Sequence, residues 1–421
     1  MTSNGIGLDP GLQTIPGRDS WLSVSSVKNA LALCYLATSI APALYLPPVM
    51  LVLMLMLAVI EVLFLKVPNA RAPYVRPLTA LLAVMFLSGL ATGLGPTDIL
   101  SYEAIRYDSN ILYSAIPLFV LGTGKVDLRR MDRWISSVVV VGAIAYVTLP
   151  FVGFYPYESH NAAGGFFMVL LAYLVGRAIV AGFSGRWLAI CVGALALVLT
   201  DSRGSIIAIL AAVAYDWCSR RWPHLARFLL LAFVGVLVAG LAAAYFVWQQ
   251  MGAPVVYDYS EFSSVADQLP TDMMSLGERP GTIMHRLFLL YPMAIDMFLQ
   301  SPIVGIGFTR FDDFPVQISG IHGVLAMNTA SPPMHSNLHA HNSFLHIAAE
   351  NGLVGLALLF LTLRSIYRTF TSRELYLPVA MILGSLLFAS LTEHRLTTPS
   401  QAAPAFVIVG LLWACQRSRR T

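Results

Sequence analysis

Apolar runs of about 14 to 24 residues recur along this chain from Lys28 onward, divided by short polar or charged stretches. A helix needs roughly 20 mostly apolar residues to cross the hydrocarbon core of a bilayer. The pattern predicts twelve candidate spans, at 28–46, 48–65, 77–95, 110–124, 134–153, 161–182, 187–200, 203–218, 226–249, 341–363, 375–391 and 402–416. Pro47 and Pro48 mark a tight turn between the first two, and "LTDSRGS" (199–205) separates the seventh from the eighth. One interval is unlike the rest. From Gln250 to Ala340 the chain runs about 90 residues without a span, and long loops are uncommon unless functional or disordered. Its apolar and aromatic content predicts order. Within it, "TIMHRLFLLYPMAIDMFLQ" (282–300) is loosely amphipathic and reads as a helix lying along the membrane interface. Pro302 ends that stretch, and "VGIGF" follows as a glycine turn. The organisation expected is therefore helices 1–9 over residues 1–249, a large external loop over 250–340, and helices 10–12 over 341–421. No internal repeat is visible.

Composition agrees. Of 421 residues, 57% are apolar and 11% charged, with a mean hydropathy of +0.71. A soluble domain carries roughly 25% charge. The expected fold class is an all-α polytopic membrane protein of about twelve transmembrane helices, with membrane lipids as its surroundings. A net charge of +4 argues against nucleic acid as a partner. No Walker A sequence supports ATP-driven transport, and no nucleophile elbow is present. The first 20 residues are polar and rich in Gly and Pro, which predicts no cleaved leader. Cys34, Cys191, Cys218 and Cys415 lie in or near apolar runs and read as small packing residues, not a disulfide framework.

Charge placement sets an orientation. With the N-terminus inside, twenty of the 26 Lys and Arg residues fall on the inner side. Arg106, Arg203, Arg279, Arg286, Arg310 and Arg395 fall outside. This is the bias of the positive-inside rule, with both termini cytoplasmic. Every external cation is then an arginine. Guanidinium forks match phosphate oxygens bidentately and stay charged at any relevant pH, so these six are worth examining as ligand contacts.

Candidate chemistry gathers at "HAHNSFLHIAAENGLVG" (339–355). A helix starting near Asn342 places Asn342, His346 and Glu350 on one face. Such a stripe should face the protein interior or a water-filled cavity. The helix N-terminus offers an anion site beside His341, which is a candidate general base, with His339 next to it. The bland alternative is that these residues only cap a helix and satisfy loop carbonyls. His322, His335, His339, His341 and His346 lie within 25 residues. Zinc held by His335, His339 and His341 is conceivable, but no cysteine accompanies them and the spacing fits no strong metal motif. The reading takes no metal and no cofactor. Asp312–Asp313 is the adjacent acidic pair outside. Arg203 in "LTDSRGS" is a functional candidate because an interfacial arginine is costly; an ion pair with Asp201 is its bland alternative. Arg279 and Arg286 flank "PGTIMH" and could join Arg203 around an anionic group, whereas each alone reads as a solvated or headgroup arginine. Arg310 and His346 are further ligand-contact candidates. Gly352 and Gly355 read as small residues for close helix packing.

Three elements together resemble a family. "HNSFLHIAAENGLVG" is similar to the His-Asn element of bacterial O-antigen ligases with its following G-x-x-G. "TDSRGS" resembles their Ser-Arg-Gly element, and "RLFLLYPMAIDMFLQSPIVGIGF" their stretch of Arg, an apolar run, then Pro and Gly-x-Gly. The three occur in family order over about residues 200–360. Each alone is weak. "HAHN" departs from the pattern by offering two histidines; the carry-over falls on His341, which Asn342 follows directly. The superfamily also holds O-antigen polymerases and protein O-oligosaccharyltransferases. The resemblance implies a glycosyltransferase of the bacterial inner membrane that uses no nucleotide. It would take a glycan from undecaprenyl diphosphate at the periplasmic face and pass it to a sugar hydroxyl of the lipid A–core oligosaccharide. In that chemistry Arg203 and Arg286 would hold the diphosphate and His341 would activate the acceptor, with Arg279, His339, Asn342, Arg310 and His346 around the substrates. Direct displacement inverts the anomeric centre.

Rival readings differ in acceptor or class. A polymerase adds the same donor to a carrier-linked glycan, and a protein transferase adds it to a protein hydroxyl. Moderate length and no extra C-terminal domain favour the ligase. A transporter of an anionic lipid or solute would place its polar groups at mid-membrane, whereas here they cluster at the outer face. A scaffold built on the large loop would not need the arginines to converge with His341.

Overall fold

A computed structural model describes residues 24–44, 46–63, 72–100, 111–157, 159–253, 286–311 and 339–419. The described regular structure is entirely helical: α1 (Val24–Thr38), α2 (Leu46–Leu63), α3 (Val75–Ala91), α4 (Leu128–Thr148), α5 (His160–Ala181), α6 (Trp187–Leu199), α7 (Arg203–Arg221), α8 (Pro223–Gln250), α9 (Tyr291–Gln300), α10 (Ser343–Thr369), α11 (Arg373–Ala389) and α12 (Pro399–Ser418). Five of the described helical stretches are long and apolar enough to cross a membrane, where the sequence pattern predicts twelve spans. They are Leu46–Leu63, Leu128–Val152, His160–Ala181, Pro223–Gln250 and Ser343–Thr369. The fourth expected span, 110–124, is two short helices, Ile111–Ser114 and Ile116–Val120, with Pro117 at the start of the second. Of the expected large loop, residues 254–285 and 312–338 lie outside the described residues, and with them Arg279, His322, His335 and the Asp312–Asp313 pair.

The helix ends follow local chemistry. Asp127 caps α4 by accepting from Arg129 N at 2.9 Å, and Ser159 caps α5 by accepting from Ala162 N at 3.1 Å. Proline opens α8 and α12, where a missing N–H costs nothing. α5 is apolar all round and sits at the centre of the bundle, with 83% of its most apolar window buried; α8 is equally apolar but only 6% buried, and so lies at the periphery. α5 packs tightly on α11: a Cβ at Gly176 would lie 2.7 Å from the Pro378 Cα.

Ion pairs tie one end of the bundle. Asp132 on α4 accepts from Arg177 Nη2 at 3.0 Å, Arg186 Nη2 at 2.6 Å and Tyr173 Oη at 2.6 Å. Arg177 reaches Glu374 at the start of α11, and Arg419 after α12 pairs with the same carboxylate at 2.7 Å. Lys28 and Glu61 form a buried pair joining α1 to α2, with Lys28 Nζ also 2.8 Å from Thr123 Oγ1. The N-termini of α5, α7, α10 and α12 all point to the opposite end.

The stretch expected to lie along an interface is a π-helical turn, Arg286–Leu290, running into α9. Leu289, Leu290, Met293, Ala294 and Met297 are buried together with Trp248 of α8 and Ala349 of α10. The glycine turn after it does more than reverse the chain. α10 breaks at Gly352, where φ is +60°. The turn supplies backbone partners across the break. Leu353 N donates to Pro302 O at 2.8 Å and Val354 N to Ile303 O at 3.1 Å; in return Ile306 N donates to Ala349 O at 2.9 Å and Gly307 N to Glu350 O at 3.0 Å. A Cβ at Gly352 would stand 2.4 Å from the Ile303 backbone, and one at Gly305 2.1 Å from the Glu350 carbonyl carbon. Gly352 thus permits a backbone-to-backbone joint, a more specific task than the helix packing its spacing suggested.

Candidate functional site

The loop joining α11 to α12 carries "LTEHRLTT" (391–398), and the start of α10 fastens it. Asn342 caps α10 with Oδ1, accepting from Phe344 N at 3.0 Å and Leu345 N at 3.1 Å. Its Nδ2 donates to Leu391 O at 2.9 Å. Ser343 N donates to Ser390 O, and Ser343 Oγ accepts from Leu396 N at 3.2 Å. Asn342 and Ser343 therefore fix the loop against His341.

Glu393 is the hub of this end of the bundle. Its Oε2 stands 3.2 Å from His341 Nδ1, and its Oε1 accepts from Arg286 Nη1 at 2.7 Å and from Asn161 Nδ2 at 3.2 Å. Arg286 Nη1 also donates to Thr392 O at 2.7 Å. Two residues on, the buried Arg395 donates to Gln401 Oε1 at 2.5 Å, to the Asn161 carbonyl, and through Nη2 to Ser202 Oγ at 3.1 Å. Ser202 Oγ in turn bonds Asn161 Oδ1 at 3.2 Å and Ser205 Oγ at 2.9 Å. One carboxylate thus meets Arg286 and His341 directly and lies beside Arg395, with side chains from α5, α7 and three separate loops.

The electrostatics follow. Burial pushes the Glu393 carboxyl up, but the His341 hydrogen bond and the Arg395 and Arg286 charges outweigh it and hold the carboxyl well below its ordinary range. Burial lowers the His341 pKa from the ordinary 6.5, with Arg286 and Arg395 acting the same way and Glu393 opposing them. Burial brings Arg395 down to about 10, so it stays charged at neutral pH. An ionised carboxylate only accepts, so the hydrogen on the His341–Glu393 contact belongs to Nδ1. Nε2 is then the basic nitrogen. His341 also holds a left-handed backbone, φ +48°, uncommon for a residue with a side chain. Asp201, just before Ser202 and Arg203, does the same at φ +49°. Backbone strain of this kind clusters at functional sites.

The remaining candidates are placed as follows. Arg203 is 84% exposed at the start of α7 and lies 3.5 Å from Asp201. Its neighbour Gly204 sits against Thr392, since a Cβ there would be 3.2 Å from Thr392 Oγ1. Arg203 therefore stands at the rim, one residue from Ser202 in the cluster. His339 packs its ring 4.3 Å from His341 and 3.5 Å from His394. His346 is buried, 3.5 Å from Glu350 and with its ring tilted against Phe311 at 5.0 Å between centroids, so it serves the joint with the 301–311 turn. Arg310 is buried and donates to Thr92 O at 2.7 Å, tying that turn to the end of α3. Sequence reasoning missed Glu393, His394, Asn161 and Ser202, and saw Arg395 only as one more outer cation. The signal was present in "TEHR", three charged or titratable residues between two apolar runs.

The arrangement can bind an anion and move a proton. The part-buried Arg286 and the buried Arg395 lie at one carboxylate, an exposed arginine stands at the rim, and four helix N-termini point to the same end, each adding a partial positive charge. The Nε–H groups of Arg286 and Arg395 are shut from water with no hydrogen-bond partner among the described residues.

No curated protein matches the chain. The model of a family described as O-Antigen ligase matches residues 187–360. That stretch includes Ser202, Arg203, Arg286 and His341 and stops short of Glu393 and Arg395. By that match, residues 187–360 of the chain are similar to the O-antigen ligase family.

Proposed function

We propose that this protein is an O-antigen ligase. It transfers a glycan from undecaprenyl diphosphate to a sugar hydroxyl of the lipid A–core oligosaccharide at the periplasmic face of the inner membrane. The observation that carries this reading is the Glu393–His341 pair beside Arg286: a base of fixed tautomer next to a cation whose Nε–H is unpartnered among the described residues. The acceptor oxygen attacks the anomeric carbon of the donor while its proton passes to His341 Nε2. The bond from that carbon to the diphosphate oxygen breaks, and undecaprenyl diphosphate leaves with the electron pair. Arg286 and the rim residue Arg203 hold the diphosphate and stabilise its developing charge. Asn161, Glu393, Arg395 and Ser202 keep these groups in register. The anomeric configuration inverts.

The test is transfer by purified full-length protein, supplied with undecaprenyl-diphosphate glycan and lipid A–core, with a chelator present and no nucleotide. Wild type should glycosylate lipid A–core, and His341→Ala should lose on the order of 10²–10⁴-fold in rate, the usual contribution of a general base. Undiminished transfer by His341→Ala would remove the base, and a product that retains the donor configuration would remove direct displacement. Transfer to a second carrier-linked glycan, and none to lipid A–core, would make the protein a polymerase.

A further inference from the structure

The α11–α12 loop brings a third imidazole to the pair at the start of α10. One ring nitrogen from each of His339, His341 and His394 can be chosen so that all three lie within 4.8 Å of one another. The rings are 4.3, 3.5 and 5.4 Å apart between centroids. Zinc bonds imidazole nitrogen at about 2.0–2.1 Å, which sets tetrahedral ligand nitrogens about 3.3 Å apart, so small ring rotations complete the site. His394 Nδ1 is shut from water and has no hydrogen-bond partner among the described residues. The outer partner is in place too. Glu393 holds His341 through Nδ1, the carboxylate–histidine arrangement that orients an imidazole so that its other nitrogen can ligate a metal. Three protein ligands leave a fourth position open.

We propose that His339, His341 and His394 form a binding site for a divalent transition-metal ion of imidazole preference, with Zn²⁺ as the probe. None of the chemistry proposed above needs this ion. Its consequence rests on that reading: a metal on His341 Nε2 occupies the lone pair that would take the acceptor proton, so Zn²⁺ at this site inhibits transfer. The site escapes the sequence because His394 lies more than fifty residues beyond His341.

The experiment is a Zn²⁺ titration of the purified full-length protein against a chromophoric chelator. Wild type should take up one equivalent. His339→Ala and His394→Ala should each weaken it by at least about 10-fold, with thermal unfolding traces to show that the variants fold. Absence of a saturable equivalent, or an equivalent that survives both substitutions, overturns the site. Should neither variant fold, Co²⁺ bound to wild type decides: intense visible bands of a tetrahedral nitrogen site support the proposal, and their absence overturns it. Transfer assayed with and without Zn²⁺ separates the two readings. Loss of transfer that a chelator restores supports both. Zinc bound through the three histidines with transfer undiminished keeps the site and removes His341 as the base.

Discussion

A buried carboxylate is costly unless its charge is answered, and Glu393 is answered by Arg286 and lies beside Arg395. Glu393→Gln leaves those guanidiniums without their counter-charge. Removing one partner of a buried pair costs roughly 3–5 kcal/mol, so the unfolding midpoint should drop in detergent. The same substitution frees the tautomer of His341, and transfer by the folded fraction should fall well below wild type; wild-type turnover would show that Glu393 does not position the base. The folded pKa of Glu393 is depressed from the ordinary 4.5. Its stabilisation is therefore complete above the unfolded value and is lost as pH falls through the folded one. The midpoint gap between wild type and Glu393→Gln should be full at neutral pH and narrow below about pH 4.5. A gap that holds constant down to about pH 3 would contradict the assignment. Arg203 is the opposite case. It is 84% exposed, so Arg203→Ala should leave the unfolding midpoint unchanged within about 0.5 kcal/mol while transfer collapses. His341 was legible because it stands at the mouth of an apolar run, beside its own cap, Asn342. Glu393 was not, because its partners come from positions 161, 286 and 341, and no spacing in the sequence records that they meet.

At the scale of elements, the joint between α10 and the 301–307 turn is made of backbone. Its hydrogen bonds do not depend on side chains, but its clearances depend on glycine. Gly352→Ala would place a Cβ 2.4 Å from the Ile303 backbone at φ +60°. We expect a loss above about 2 kcal/mol or failure to accumulate folded protein. Gly240 on α8 is the control: nothing lies within 4 Å of its would-be Cβ, and Gly240→Ala should leave folded yield unchanged or improved. Equal effects at both positions, measured by monodisperse yield in detergent, would refute the joint. Most helices could be read from the apolar runs, because apolar length is a local property. The break in α10 could not. Gly352 and Gly355 have the spacing of ordinary packing residues, and only the turn lying against them shows what Gly352 permits.

Across the whole molecule, the two ends of the bundle carry different tasks. The Asp132 network ties α4, α5, α11 and α12 at one end, and the Glu393 cluster joins α5, α7, α10, α11 and α12 at the other. Asp132→Asn should therefore lower the unfolding midpoint yet leave turnover per folded molecule near wild type; a selective loss of turnover would mean that the ends are coupled. The Glu393 cluster has a further consequence, in the order in which the chain is made. A ribosome delivers Asn161, Ser202, Arg286 and His341 before it delivers the acidic residue that gathers them. A nascent chain threaded into the membrane as far as α10 holds His341, Arg203 and Arg286 but neither Glu393 nor Arg395. On the proposed reading, such a chain should neither discharge a lipid carrier nor spend a glycan on a wrong hydroxyl until the α11–α12 loop arrives to close the ring.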